Sequence, residues 1–153
     1  MGFLSSMSIA GSGLTAQQLR LDIVSENVTN LNTTRTENGE TYRRKMVVFR
    51  AETGRDSFRM AMARAAEGLA PNVGYETAGG VRVTQIVEDP SDLKLVYDPA
   101  HPDANEDGYV ELPNVDLVKE VADAMAATQA YAANVTALNA LKAVVAKGME
   151  IGR

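Results

Sequence analysis

From residue 3 to residue 31, positions separated alternately by four and three form a stripe: Phe3, Met7, Ala10, Leu14, Gln17, Leu21, Val24, Val28 and Leu31. Gln17 alone in it is polar. This is the a/d rhythm of a helix carrying one apolar seam, held for about four heptads. Ser5, Gln18, Arg20, Asp22 and Glu26 lie off the seam. Gly2, Gly11 and Gly13 each weaken a helix by about 1 kcal/mol relative to alanine, so the pattern predicts helix firmly only from Leu14 to Leu31, ending at Thr33 and Thr34. The C-terminal end repeats the pattern. Asp116, after Pro113-Asn114-Val115, suits an N-cap. A stripe follows through Leu117, Val121, Ala124, Thr128, Tyr131, Val135, Leu138, Val145 and Met149, widened by Val118, Met125, Leu141 and Val144. Alanines crowd residues 122–146, which favours helix and close helix approach.

The middle follows another rule. Tyr42 to Ala51, Val81 to Glu88 and Leu93 to Tyr97 are rich in β-branched and aromatic residues and predict strands. Ser57 to Leu69 is ambiguous, with helix-favouring methionines and alanines set among Gly68, Pro71, Gly74, Gly79 and Gly80. Pro90, Pro99 and Pro102 set turns. The expected fold class is α+β: long N- and C-terminal helices pair as a coiled-coil-like arm, with a small β-rich insert between them. The expected division is 1–35, 36–107 and 108–153, the first and last packing as one discontinuous domain. The alanine-rich C-terminal helix is apolar on more than one side. A two-helix hairpin cannot cover that surface, so other subunits are its natural partners, and contacts that repeat without closing build filaments. An ordinary antiparallel bundle fits the periodicity equally well.

Composition narrows the chemistry. Of 153 residues, 45% are apolar and 23% charged, with a net charge of −5. No basic stripe exists to neutralise phosphates, so nucleic acid is not an expected partner. Arg43, Arg44 and Lys45 are expected at a solvated strand edge. There is no cysteine, which excludes disulfides, thiolate metal sites and cysteine nucleophiles. The first residues lack the basic and apolar regions of a cleaved signal peptide, and no apolar run approaches the roughly 20 residues of a membrane span. Any export is expected to use another route.

Candidate sites are few. Asp103, Asn105, Asp107 and Gly108 resemble the start of a calcium loop. The twelfth position is Asn114 where a tight site needs glutamate, and Pro99 and Pro102 preclude a preceding helix. An Asx turn is the expectation. His101 lacks partners for a triad or a zinc site. Glu88, Asp89, Asp92 and Asp98 sit in or beside turns, without an apolar pocket to raise one pKa. No catalytic residue, cofactor or metal ligand is expected. Asn27, Asn30, Asn134 and Asn139 lie beside the seams, where a buried asparagine can fix register and an exposed one does nothing of the kind.

Some of these residues fall into recognisable strings. Gly11-Ser12-Gly13-Leu14-Thr15-Ala16-Gln17-Gln18-Leu19-Arg20-Leu21-Asp22-Ile23-Val24, followed by Asn27-Val28-Thr29-Asn30, resembles the N-terminal signature of the bacterial flagellar rod and hook axial family. Tyr42-Arg43-Arg44-Lys45, the turn from Asp98 to Asn105, the segment from Gly108 to Glu120 and the stretch from Ala130 to Lys142 resemble its proximal-rod members. Departures are Glu26 and Thr29, where the family more often has serine and alanine, and Gln129 and Ala132, where it often has arginine and glutamate. Residues 55–80 carry no resemblance.

The resemblance implies a structural subunit of the basal-body proximal rod, exported unfolded through the flagellar type III apparatus and polymerised in the periplasm. The terminal helices would line the hollow drive shaft, which transmits torque and passes exported flagellar proteins. Neighbours would be further copies, other proximal and distal rod subunits, and the adaptor joining rod to membrane ring. The expected assembly residues are Leu14, Gln17, Leu21, Val24, Asn27, Val28, Asn30, Leu31, Leu117, Val121, Met125, Tyr131, Asn134, Val135, Leu138, Leu141 and Val145. Another axial protein of the same family, or a stand-alone coiled-coil adaptor, is the alternative.

Overall fold

The computed structural model describes residues 3–53, 66 and 78–151. The ambiguous segment Ser57 to Leu69 lies outside the described residues, apart from Ala66. Helix α1 (Phe3–Thr29) leads through a loop to strand β1 (Lys45–Thr53), which pairs antiparallel with β2 (Ala78–Glu88). Two short antiparallel strands follow, β3 (Lys94–Tyr97) and β4 (Tyr109–Leu112), and then helix α2 (Leu117–Ile151). The fold is α+β, two long terminal helices around a small antiparallel β region.

α1 begins well before Leu14 and runs through both Gly11 and Gly13. Packing outweighs the glycine penalty, as it commonly does for helices in folded proteins. A Cβ placed on Gly13 would lie 2.9 Å from Asn134 Nδ2, so this glycine permits the close approach of α1 to α2. Farther along, Arg20 Nη2 meets Asp123 Oδ1 at 2.9 Å and Asn27 Nδ2 meets Glu120 Oε2 at 3.0 Å. Positions on α1 rise as their partners on α2 fall, so the helices are antiparallel.

Asp116 caps α2 as expected: its Oδ1 accepts from the Val118 amide at 3.0 Å, and its carbonyl accepts from the Glu120 amide at 3.0 Å.

The β1–β2 ribbon lies along α1. At one end the Lys45 amide donates to Asn27 Oδ1 at 2.9 Å; at the other, the Val81 amide donates to Ser12 Oγ at 3.1 Å. Val81 pairs with Ala51. The six residue steps of strand from Lys45 to Ala51 span about 20 Å, and the fifteen helical steps from Ser12 to Asn27 span about 22 Å. The two lengths match, so β1 runs back beside α1 towards its start. Gly80 has φ +116° and lies so close to Ser12 that any Cβ would overlap its hydroxyl.

β4 was not expected as a strand. Four residues between Gly108 and Pro113 are too short a run to stand out, and their partner β3 lies across the eleven-residue turn 98–108. Within that turn, Asn105 Oδ1 accepts from the Asp107 amide at 3.1 Å and the Tyr109 amide at 2.8 Å, while Gly108 takes φ +79°. The Asx turn is therefore present.

Candidate assembly surfaces and the polar node

At the base of the helix pair, two polar side chains have almost no solvent contact. Asn27 is 1% exposed and Glu120 is 0% exposed. Burial of such groups is costly unless each is hydrogen-bonded, and here the bonding is complete for the amide. Asn27 Nδ2 donates to the Lys45 carbonyl at 2.9 Å and to Glu120 Oε2 at 3.0 Å. Its Oδ1 accepts from the Tyr42 hydroxyl and the Lys45 amide, both at 2.9 Å. A primary amide has two donors and one oxygen with two lone pairs, and all are used.

Glu120 turns its other oxygen to Arg44 Nε at 2.5 Å. Arg44 Nη2 reaches Asp123 Oδ2 at 2.9 Å, and Nη1 lies 3.8 Å from Asp89 Oδ2. Asp123 is shared with Arg20. Three carboxylates thus surround one guanidinium, and these neighbours raise its pKa against the opposing effect of burial. The Arg44 side chain is only 18% exposed, so the expected solvated strand edge does not hold for it. Its carboxylates lie up to 79 residues away in sequence, which is why local pattern could not reveal them. Tyr42 is also buried. Burial, chiefly, with Glu26, Glu120 and Glu88 nearby, pushes its phenol above the ordinary value. Asp89 is held below the usual carboxylate range, mainly by hydrogen bonds from the Ser91 backbone and side chain.

The predicted assembly residues divide into groups. On α1, Val24 and Asn27 are buried, Leu14, Gln17 and Leu21 are half-buried, and Val28 is exposed; beyond the helix, Asn30 and Leu31 are half-buried. The buried line keeps Ala10, Val24 and Asn27 of the expected positions and adds Gly13, Ala16 and Ile23. The seam is displaced because small residues bring the backbones together, and a search for large apolar side chains passes over them. Gln17 Oε1 is buried and has no hydrogen-bond partner among the described residues.

On α2, Tyr131, Asn134, Val135, Leu138, Leu141 and Val145 are half-buried, while Ala127, absent from the predicted stripe, is fully buried. Asn134 stands against Gly13, and Asn139 is exposed. Leu117, Val121 and Met125 fall on a different face. With Val118 they form an apolar ridge, 46%, 48%, 70% and, for Val118, 77% exposed. At about 100° per residue, the ridge is turned roughly 100° from the line through Glu120 and Ala127. No part of the described chain covers it.

The turn residues have local work. Asp98 Oδ1 accepts from the Ala100 amide at 3.2 Å, and His101 Nδ1 accepts from the Asp103 amide at 3.1 Å. Asp103 Oδ2 accepts from the Thr34 hydroxyl at 2.7 Å. Among the described residues, no group of three or more histidines and carboxylates is placed to hold a metal, and no helix is long and apolar enough to cross a membrane.

Known proteins resemble both the arms and the whole chain. Residues 7–35, covering most of α1 and the turn after it, match the family described as flagella basal body rod protein. Residues 106–149, covering β4 and nearly all of α2, match the C-terminal region of the flagellar basal body rod FlgEFG proteins. The two matched segments are the ones that pack as the helical arm, and they define the class as a structural rod protein. The flagellar basal-body rod protein FlgC of Bacillus subtilis is 45% identical, covering 97% of each chain. FlgC of Borreliella burgdorferi is 41% identical over 99% of this chain and 98% of its own, and FlgC of Escherichia coli O6:H1 is 37% identical over 100% of both. The chain belongs to the FlgC family of flagellar basal-body rod proteins, whose members are structural subunits of that rod.

Proposed function

We propose that this rod subunit is held in place through its terminal helices, and that its role is to polymerise and carry torque, with no catalysis of its own. The observation that carries this is the ridge Leu117, Val118, Val121 and Met125. It stands exposed on a helix whose other face already has a partner in α1. Apolar surface of this kind is a liability in water and an asset at a subunit contact. The half-buried row from Tyr131 to Val145 gives the arm its own cohesion, and the ridge faces the neighbour. The neighbours are further copies, other rod subunits and the adaptor that joins rod to membrane ring. The protein reaches the periplasmic part of the basal body through the flagellar export apparatus, and there completes a hollow shaft that passes later subunits.

The test replaces the chromosomal gene with wild type, Val118→Asp or Met125→Asp, and quantifies the chain in detergent-extracted basal bodies by mass spectrometry. Wild type is expected in basal bodies. Each variant is expected to keep the wild-type far-ultraviolet helix signal when purified, yet to be missing from basal bodies, with motility lost. Normal incorporation of both variants would remove the ridge from the assembly contact.

A further inference from the structure

The two β ribbons are attached to the helical arm in different ways. The β1–β2 ribbon packs along α1, with a hydrogen bond at each end of the contact. Among the described residues, β3 and β4 pack against neither helix and against neither strand of the other ribbon. A cavity of about 370 Å³ opens between β4, the turn at residues 102–105 and the loop at residues 34–41. On that side the second ribbon borders open space, while Val110 of β4 is buried.

Polar links hold its base, and Arg44 stands where two sets of them meet. Its amide donates to Asn114 Oδ1 at 2.8 Å, and its carbonyl accepts from the Asp89 amide at 2.7 Å. Asn114, just beyond β4, donates to the Asp89 carbonyl at 3.1 Å, the Ser91 carbonyl at 3.2 Å and Ser91 Oγ at 2.9 Å, on the segment entering β3. The Arg44 guanidinium meanwhile grips Glu120 and Asp123 on α2. One residue thus binds both ends of the second ribbon through its backbone and the helical arm through its side chain.

We propose that Arg44 and Asn114 form a joint that sets the attitude of the β3–β4 ribbon to the helical arm. Five further tethers span the cavity or the ribbon's margin: Thr34 and Arg35 to Asp103, Thr41 to the Glu111 carbonyl at 3.4 Å, Arg43 to the Ser91 carbonyl at 3.1 Å, and Lys94 to the Val115 carbonyl. They limit the swing of the ribbon. Arg44 and Asn114 fix its resting angle. The ribbon's outer face carries Leu95, Tyr97 and Tyr109, all exposed, with the two tyrosine rings edge to face at 5.3 Å. The joint therefore decides where an aromatic face points. None of this depends on the ridge of α2 being a subunit contact.

Because the chain has no cysteine, spin labels can be placed on introduced cysteines without first removing native ones. In the full-length protein, one label pair on Glu111→Cys and Gln18→Cys reads the ribbon against the arm. A second pair on Gln18→Cys and Thr128→Cys reads the arm alone. Double electron–electron resonance is expected to give one narrow distance for each pair. With Arg44→Met, and separately with Asn114→Ala, the ribbon distance is expected to broaden or shift while the arm distance stays, and Arg44→Lys is expected to restore part of the narrow distance. An unchanged ribbon distance in both variants overturns the proposal. So does broadening of both pairs together in Asn114→Ala, which would make the node a general support of the fold and no joint.

Discussion

Glu120 is a charged group without solvent contact, and its place in the fold depends on three side chains. Arg44 supplies the counter-charge, Asn27 supplies a donor, and Asp123 competes for the same guanidinium. Removing one partner of a buried ion pair costs about 3–5 kcal/mol because the other is left uncompensated. Glu120→Gln keeps the shape and removes the charge, so the expected loss is about 3 kcal/mol, read as a lower urea midpoint with an unchanged slope. Arg20→Met breaks an ion pair whose two side chains are 31% and 36% exposed. Solvent screens it, and about 1 kcal/mol or less is expected. Equal losses in the two variants would mean that burial does not set the strength of these pairs. Tyr42 gives the node a signature in alkali. Its phenol is held above its ordinary value, so an unfolded chain releases that proton at about pH 10 while the folded chain keeps it. This contribution to stability is complete below about pH 10 and declines above it. Tyr42→Phe is expected to be less stable at neutral pH, because Asn27 Oδ1 loses a donor, but to fall less steeply between neutral and strongly alkaline pH. Parallel alkaline slopes for the two proteins would rule the phenol out as the cause.

At the scale of elements, two glycines separate helix propensity from packing. Gly11 lies inside α1, and apart from its chain neighbours and its own turn of helix no described residue comes within 4 Å of where a Cβ would stand. Gly11→Ala only removes backbone freedom from the unfolded chain, and is expected to stabilise by up to about 1 kcal/mol. Gly80 differs on both counts. Its φ of +116° is outside the range that side-chain-bearing residues adopt with ease, and a Cβ would collide with Ser12 Oγ. That hydroxyl cannot simply turn away, because it donates to the Ile9 carbonyl at 2.7 Å and accepts from the Val81 amide. Gly80→Ala is expected to cost about 1–3 kcal/mol and to raise exchange at the Val81 amide, as the ribbon lifts from α1. Thermal melts of the two variants should move in opposite directions. Movement in the same direction would show that the ribbon is not seated on Ser12.

For the whole molecule, the sequence disclosed the elements better than their contacts. The period of each arm and the Asp116 cap are local facts, and both helices were visible in them. The contact line was visible only in part: Ala10 and Val24 lie on the stripe, but Gly13 and Ala16 join the line by being small, whereas hydrophobic spacing seeks large side chains. Arg44 was hidden for another reason: partners 76 and 79 residues away leave no local trace. The geometry of the pair carries one consequence for its dynamics. α1 has 27 residues and α2 has 35, or about 40 Å against about 52 Å. The helices are in register at their shared base, through Asn27 and Glu120, so the excess length of α2 lies at its far end. Residues 146–150 are exposed accordingly, and Met149 is 72% exposed although it falls on the same side of the helix as Ala127. A helix end without a partner frays, while a packed one opens only with larger parts of the fold. Hydrogen exchange on the isolated full chain is therefore expected to show the strongest protection in α1 from Ala16 to Asn27 and in α2 from Glu120 to Asn134, falling steadily beyond Val145. Uniform protection along α2 would mean that the overhang is held by something other than α1, such as a second copy. Rapid exchange throughout both helices would mean that the arm, node included, forms only when neighbouring rod subunits are present.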